Sequence, residues 1–287
     1  MKILVTGTYG QLGSEIKDLS GNYPGWEFSR TDIDTLDITD EAAVDKFMGA
    51  TRPAFVVNCA AYTAVDKAEE EPELAFRINA EAPGILASSC KKYKARLIHI
   101  STDYVFDGKG CKPYTEEDRI NPQGVYGQTK AGGEKNCLHA NPDTIIIRTS
   151  WLYSSHGNNF VKTMVRLGRE QDSLNVVSDQ VGSPTYAGGL ALAVLRIIEN
   201  SHTIYVPGIF HYSDEGVCSW YDFAIAVHEM ANIHCKINPV NSGQFPAKAK
   251  RPHYSVLDKS KIKSEYKTEI PYWRDSLKNC ISNILKE

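Results

Sequence analysis

Short, nearly uninterrupted apolar runs set the rhythm of the first half of this chain. Lys2 to Thr6, Ala54 to Cys59, Leu97 to Ser101 and Thr144 to Trp151 are too brief for fully buried helices and are rich in β-branched residues, the signature of parallel strands covered on both faces. Trp26 to Asp32 reads as a further strand. Between these runs, residues 13–20, the stretch after Asp40, Glu73 to Lys92 and the segment carrying Tyr126 read as helices,. Strand and helix in alternation predict a doubly wound parallel α/β sheet with right-handed crossovers over residues 1–150.

Beyond Trp151 the pattern changes. Asn158 to Glu170 is an amphipathic helix, Leu174 to Val177 a strand, Asp179 to Thr185 a polar loop and Leu190 to Ile198 a helix. Gly208 to Ser213, a helix from Trp220 to Ala231 and the Pro-rich, basic stretch 246–252 complete a smaller α/β domain over 151–287. Elements around 174–200 are expected to pack back on the first domain. Residues 107–123, rich in Gly, Pro and charge, read as a long loop of the kind that is usually functional or mobile,.

Composition narrows the classes. At 287 residues, with 42% hydrophobic and 23% charged residues, the chain is long enough for two unequal domains,. A net charge of −3 gives no case for nucleic acid or an anionic membrane surface,. The seven cysteines are scattered without a Cys-x-x-Cys pair, and the histidines form no His-Glu-x-x-His. Reduced thiols, a cytoplasmic setting and no metal site are therefore expected. No signal-peptide layout and no membrane-length apolar run are found,.

Candidate chemistry begins where the first strand ends, in Gly7-Thr8-Tyr9-Gly10-Gln11-Leu12-Gly13. Gly7 permits a tight turn, Gly10 lets backbone approach a pyrophosphate, and Gly13 lets helix pack on strand. The helix that follows offers free N–H groups and a partial positive charge to the phosphates. About 20 residues on, an acid takes the adenosine ribose hydroxyls and an Arg suits a 2′-phosphate; here Arg30 and Asp32 are both present, so NADH and NADPH stay open. Asp37-Ile38 lies beside a helix start capped by Thr39 or Asp40, where capping competes with adenine contact as the explanation,. Ala60, Ala61 and Thr63 follow a buried strand, where small residues leave room for a ligand,.

Tyr126 and Lys130 are four apart on one helix, so the ammonium can sit beside the phenol,. Bringing a tyrosine from about 10 to about 7 takes roughly 4 kcal/mol, which a cation at ~4 Å in a partly screened site supplies. The phenol then becomes a proton donor and acceptor at neutral pH, and Thr102 could hold a carbonyl oxygen beside it. With fifteen tyrosines in the chain, one Tyr-x-x-x-Lys match is unremarkable alone,. Its weight comes from the glycine turn.

Taken together, Gly7-x-x-Gly10-x-x-Gly13, Thr102 and Tyr126-x-x-x-Lys130 resemble the extended short-chain dehydrogenase/reductase superfamily, which implies a Rossmann-type fold. Gly10-Gln11-Leu12-Gly13, Ala64 to Glu69, Ser101 to Phe106, Val125-Tyr126-Gly127, Arg148 to Trp151, Arg251-Pro252 and Leu257-Asp258 are similar, more narrowly, to the dTDP-4-dehydrorhamnose reductase family. That resemblance implies reduction of a dTDP-linked 4-ketosugar by NADPH or NADH, with a smaller substrate-binding domain. Thr102, Tyr126 and Lys130 would be catalytic. Gly7, Gly10, Gln11, Leu12, Gly13, Asp32, Asp37, Ile38, Ala60, Ala61, Thr63, Tyr126 and Lys130 would meet the cofactor, and Tyr104, Trp151 and Arg251 the substrate. Arg251 suits the diphosphate because a guanidinium can meet it bidentately, whereas Lys248 and Lys250 read as solvated charges. A tryptophan after a strand is more often core than ligand platform, so Trp151 carries both readings.

Some members of the family dimerise around magnesium; Glu15 is present, but Tyr186-Ala187-Gly188-Gly189 offers no carboxylate, and monomer and homodimer stay open. Two other readings compete: a reductase of another nucleotide-linked 4-ketohexose, such as a UDP-linked amino sugar, and a regulatory subunit with the same fold and no turnover.

Overall fold

The computed structural model describes residues 1–244 and 248–286. Its frame is built from β1 (Lys2–Thr6), α1 (Gln11–Leu19), β2 (Glu27–Thr31), α2 (Glu41–Thr51), β3 (Phe55–Asn58), α3 (Ala82–Tyr93), β4 (Arg96–Thr102), α4 (Val125–Ala140) and β5 (Ile145–Thr149). It continues with α5 (Phe160–Glu170), β6 (Ser173–Val177), α6 (Ala187–Glu199), β7 (Gly208–His211), α7 (Trp220–Ala231), β8 (Lys236–Val240) and α8 (Trp273–Ile284).

The main sheet runs β7-β5-β4-β3-β1-β2 with every neighbouring pair parallel. The expected doubly wound α/β architecture is therefore present. The chain leaves β1 toward β2 on one side and returns to β3 on the other, so the switch point lies between β1 and β3. In such sheets ligands bind outside the strand ends at that crevice.

Each strand interior is covered twice, which is why its sequence is continuously apolar. One face packs Ile3, Val5, Phe55 and Val57 against Leu12 and Ile16 of α1 and Leu190 and Val194 of α6. The other packs Leu4, Val56 and Leu97 against Met48 of α2, Leu86 of α3 and Cys137 of α4. A second core joins Val161 and Val165 of α5, Leu174 of β6, Phe223 and Val227 of α7 and Leu277 of α8. There β6 pairs in parallel with β8.

Two element placements differ from the sequence reading. Gly208 to Ser213 was expected in the smaller region, but β7 pairs with β5 and extends the main sheet. A four-residue half-buried strand carries no signal of which sheet it joins. Within 174–200, α6 packs on α1 over the main sheet, whereas β6 belongs to the second core. The helix expected from Glu73 to Lys92 is broken into Pro72–Phe76, a π-helical stretch Arg77–Glu81, and α3. Of the stretch 246–252, Pro246 and Ala247 lie outside the described residues.

One buried ion pair cross-braces the frame. Arg148 of β5 donates through Nε to Glu134 Oε1 at 2.8 Å and through Nη2 to Oε2 at 2.7 Å, and Ser101 of β4 donates to the same carboxylate at 2.5 Å. Both charged side chains are under 5% exposed. His211 of β7 turns Nε2 toward Arg148 at 3.5 Å, with its Nδ1 on the Tyr114 carbonyl at 3.1 Å. Removing one member strands the other charge in the core. Glu134→Met or Arg148→Met should each cost about 3–5 kcal/mol. In urea denaturation, the Glu134→Met/Arg148→Met double variant should lose far less than the sum of the single losses.

Candidate active site

The glycine turn is shaped by contacts that only glycine tolerates. Gly7 sits at φ +67°, and a Cβ there would lie 2.6 Å from the Ala60 backbone. A Cβ on Gly13 would come within 2.5 Å of the Gly7 carbonyl oxygen. Gly10 is the N-cap of α1; no side chain caps that helix and its first turn carries no acid. An uncapped helix start on a turn with glycine at 7, 10 and 13, at the switch point, fits a dinucleotide's pyrophosphate,. Leu12 is core, so it can offer only backbone, and the Gln11 amide points to the Leu152 carbonyl at 3.5 Å.

At the end of β2, the Asp32 carboxylate accepts from the backbone N–H of Tyr9 at 2.8 Å and of Ile33 at 2.9 Å, tying strand to glycine turn. Arg30 is exposed on the same strand. Asp37 accepts from the Thr39 N–H and hydroxyl, and the Ile38 side chain is buried in the core. The helix cap is Asp40, which accepts from Ala42 and Ala43 at 3.0 Å each. Ala60 and Ala61 line the loop after β3 and Thr63 is exposed. Asn79, fully buried in the π-helical stretch, holds this loop through the Tyr62 N–H and carbonyl. It also reaches Thr129 on α4 at 3.2 Å.

On α4, Tyr126, Lys130 and Glu134 recur every fourth residue and line one face. Lys130 is buried and donates from Nζ to the Ile100 carbonyl at 2.7 Å, with His99 Nε2 at 3.5 Å. Burial pulls its ionisation down to about 8, against the opposing pull of Glu134, Cys137 and Cys59. Burial pushes the Tyr126 phenol above the ordinary tyrosine range; a hydrogen bond with Thr102 opposes this, and Asp103 and Tyr104 add to it. This departs from the sequence expectation. The pair shares a helix face, but the Lys130 nitrogen turns inward to β4, and burial governs the phenol. A raised phenol stays protonated at neutral pH, as a proton donor must.

Thr102 ends β4, donating to Asp103 Oδ1 at 3.0 Å and accepting from the Tyr104 N–H at 3.2 Å. The Tyr104 ring meets Tyr126 edge-on, centroids 5.4 Å apart. Arg251 reaches Tyr104 Oη at 3.4 Å and Asp66 Oδ2 at 2.5 Å, beside a small cleft lined by Tyr104, Phe106, Gln123, Lys250 and Pro252. Lys248, read from sequence as solvated, is paired with Glu70. Trp151 has left-handed backbone at φ +47° and stacks on Trp220 at 3.6 Å, while remaining partly exposed. It is packed against the second core on one side and open on the other, which accommodates both of its readings. Thr102, Tyr104, Tyr126 and Arg251 thus share one edge of the sheet. Glu15, whose ligand atom lies with those of Asp18 and His156 within a 4.8 Å cluster, is already engaged by Ser154 and Tyr186.

Asn58, His99, Asn79, Asp103 and Glu134 escaped the sequence reading of the site. Their signal was present. Asn58 and His99 are polar residues inside otherwise apolar parallel strands, and α4 has too few apolar residues on any face to be held by a hydrophobic stripe.

A dinucleotide-type turn and a Tyr/Lys helix meeting at one sheet edge put the chain among the extended short-chain dehydrogenases/reductases, a class of oxidoreductases. The family model described as RmlD substrate binding domain matches residues 1–286. A dTDP-4-dehydrorhamnose reductase of Aggregatibacter actinomycetemcomitans is 39% identical, covering 97% of both chains. A probable dTDP-4,6-dihydroxy-2-methyloxan-3-one 4-ketoreductase of Streptomyces antibioticus is 38% identical, covering 99% of this chain and 96% of its own. Among solved structures, a dTDP-4-dehydrorhamnose reductase of Clostridium acetobutylicum superposes with TM-score 0.94 at 46% identity over 100% of both chains. That of Bacillus anthracis, in complex with NADP, gives 0.93 at 37% over 98% of each. The chain belongs to the RmlD family, that of the dTDP-4-dehydrorhamnose reductases.

Burial raises the Asp103 carboxyl to about 7, against ~3.9 for a free aspartate. Between these values the folded chain binds more protons than the unfolded one, so this group's contribution to stability is full below ~4 and lost as pH rises through about 7,. Asp103→Asn should therefore gain stability relative to the parent at pH 7.5 compared with pH 4, read from paired thermal melts.

Proposed function

We propose that this chain reduces the C4 ketone of dTDP-4-dehydro-L-rhamnose to give dTDP-L-rhamnose. The observation that carries this reading is the convergence of Thr102, Tyr126 and Tyr104 at the sheet edge beside the glycine turn, with Arg251 across the cleft. NADPH or NADH, held along the turn by backbone N–H groups, supplies the hydride. Tyr126 gives its phenolic proton to the sugar's carbonyl oxygen as charge develops there. Thr102 donates a hydrogen bond to the same oxygen, exchanging Asp103 for the substrate,. Lys130 would hold the cofactor ribose and steady the phenolate left behind. Arg251 leaves Asp66 to clasp the diphosphate, because two phosphates outcompete one carboxylate for a guanidinium. Trp151 walls the sugar through its exposed face.

The family resemblance supports the dTDP sugar. The Streptomyces antibioticus relative, 38% identical and named for a different dTDP-linked ketosugar, supports a second reading in which the same chemistry serves another nucleotide-linked 4-ketohexose. Following NADPH and NADH oxidation with dTDP-4-dehydro-L-rhamnose made in situ, beside a second dTDP-linked 4-ketosugar and a UDP-linked one, separates them. Turnover is expected with dTDP-4-dehydro-L-rhamnose; turnover only with one of the other sugars selects the second reading, and none with any favours a regulatory subunit.

Tyr126→Phe should lower kcat by about 10²-fold or more while leaving cofactor affinity intact, and Lys130→Met should impair both turnover and cofactor binding. Unchanged turnover in the first, or normal binding in the second, defeats the assigned role. Arg251→Ala should raise KM for the nucleotide sugar about tenfold or more, the scale of a lost charged hydrogen bond, and shift kcat much less.

A further inference from the structure

Beneath Lys130 lies a chain of hydrogen bonds whose polarity is fixed from one end. Asn58 Oδ1 accepts from the Ala60 backbone N–H at 3.2 Å and from the Thr6 hydroxyl at 2.7 Å. A backbone N–H can only donate, so the amide cannot be reversed, and Nδ2 is the atom that faces His99 Nδ1 at 3.0 Å. An amide NH₂ is likewise only a donor. His99 Nδ1 must therefore accept, and the neutral ring carries its hydrogen on Nε2. That Nε2–H points at Lys130 Nζ, 3.5 Å away, while Nζ donates to the Ile100 carbonyl at 2.7 Å. An ammonium has no lone pair with which to receive it.

His211 shows the opposite arrangement in the same fold. Its Nδ1 lies on the Tyr114 carbonyl, which requires a hydrogen there, so Nε2 accepts from the Arg148 guanidinium. One buried imidazole is set to receive a cation. The other is set against one.

We propose that His99, locked by Asn58 as its Nε2–H tautomer, is a positioning residue that favours the amine over the ammonium form of Lys130 in the cofactor-free enzyme. The other groups facing Nζ are Glu134 and Cys137 from α4, Cys59 after β3 and the Ile100 carbonyl of β4. Glu134 pulls toward the charged form, but its carboxylate is already shared between Arg148 and Ser101. Burial of Lys130 works in the same direction as His99. The proton released goes to solvent. With its ionisation brought down to about 8, Lys130 can lose and regain a proton near neutral pH instead of being a permanent cation under the sheet. This inference rests on Lys130 acting beside Tyr126.

The direct test is the tautomer of His99, read by NMR of the cofactor-free full chain labelled with ¹⁵N-histidine and assigned with His99→Gln. Hydrogen on Nε2 is expected; a protonated ring or hydrogen on Nδ1 overturns the proposal. The second test follows Lys130 itself through ¹³C-labelled lysine, assigned with Lys130→Met. In Asn58→Asp the carboxylate accepts where the amide donated, which moves the ring hydrogen to Nδ1 and frees Nε2 to receive an ammonium. The Lys130 midpoint should rise by about one to two pH units, the scale of a charged hydrogen bond gained. With His99→Met also in place the rise should shrink clearly. An unchanged midpoint, or an equal rise without His99, overturns the proposal. If Lys130→Met left turnover intact, the functional reading would fail, yet both NMR results would still be read independently of it.

Discussion

The burial of an amine and a carboxylate on one face of α4 is the constraint on which the site depends. Lys130 and Glu134 lie one and two turns beyond Tyr126, and both are almost wholly removed from water. Left unpaired, either would cost several kcal/mol, so each must be met from the sheet. Glu134 is met by Arg148 and Ser101, and Lys130 by the Ile100 carbonyl and His99. These four partners come from β4 and β5, which fixes the rotation of α4 about its axis. Tyr126, on the same face, is thereby aimed at Thr102 without a hydrophobic stripe to hold it.

The same economy governs the other end of the site. Gly7 brings the turn onto the Ala60 backbone, and Asp32 clamps β2 to that turn through the Tyr9 N–H. Asn79 then ties the Ala60–Thr63 loop to Thr129 on α4. The glycine-turn half and the Tyr126 half of the edge are therefore one connected scaffold of polar contacts, and a shift in either is felt by the other.

Much of this was legible in the chain. Continuous apolar runs identified the parallel strands, Gly7-x-x-Gly10-x-x-Gly13 located the tight strand-to-helix turn at the switch point, and Asp40 capped its helix as that residue type does. What escaped has a common physical cause. Sequence patterns report period and polarity, not which element answers a buried charge. Tyr-x-x-x-Lys spacing correctly predicts a shared helix face, yet a lysine's long stem lets its nitrogen turn to a backbone carbonyl in place of the phenol. Asp37 and Leu12 sit where motif logic points, but Asp37 closes a local turn and Leu12 fills the core. The four residues of β7 could join either sheet until the neighbouring β5 was in place.

The central claim is that this sheet edge passes a hydride to C4 of a nucleotide-linked ketosugar while Tyr126 protonates its oxygen. It is tested most directly by following label. The enzyme would be given dTDP-4-dehydro-L-rhamnose with cofactor deuterated on the transferring face of nicotinamide C4, and the product examined by NMR. The account predicts deuterium bonded to C4 of dTDP-L-rhamnose, with the hydroxyl hydrogen drawn from water; product without deuterium at C4 would contradict it.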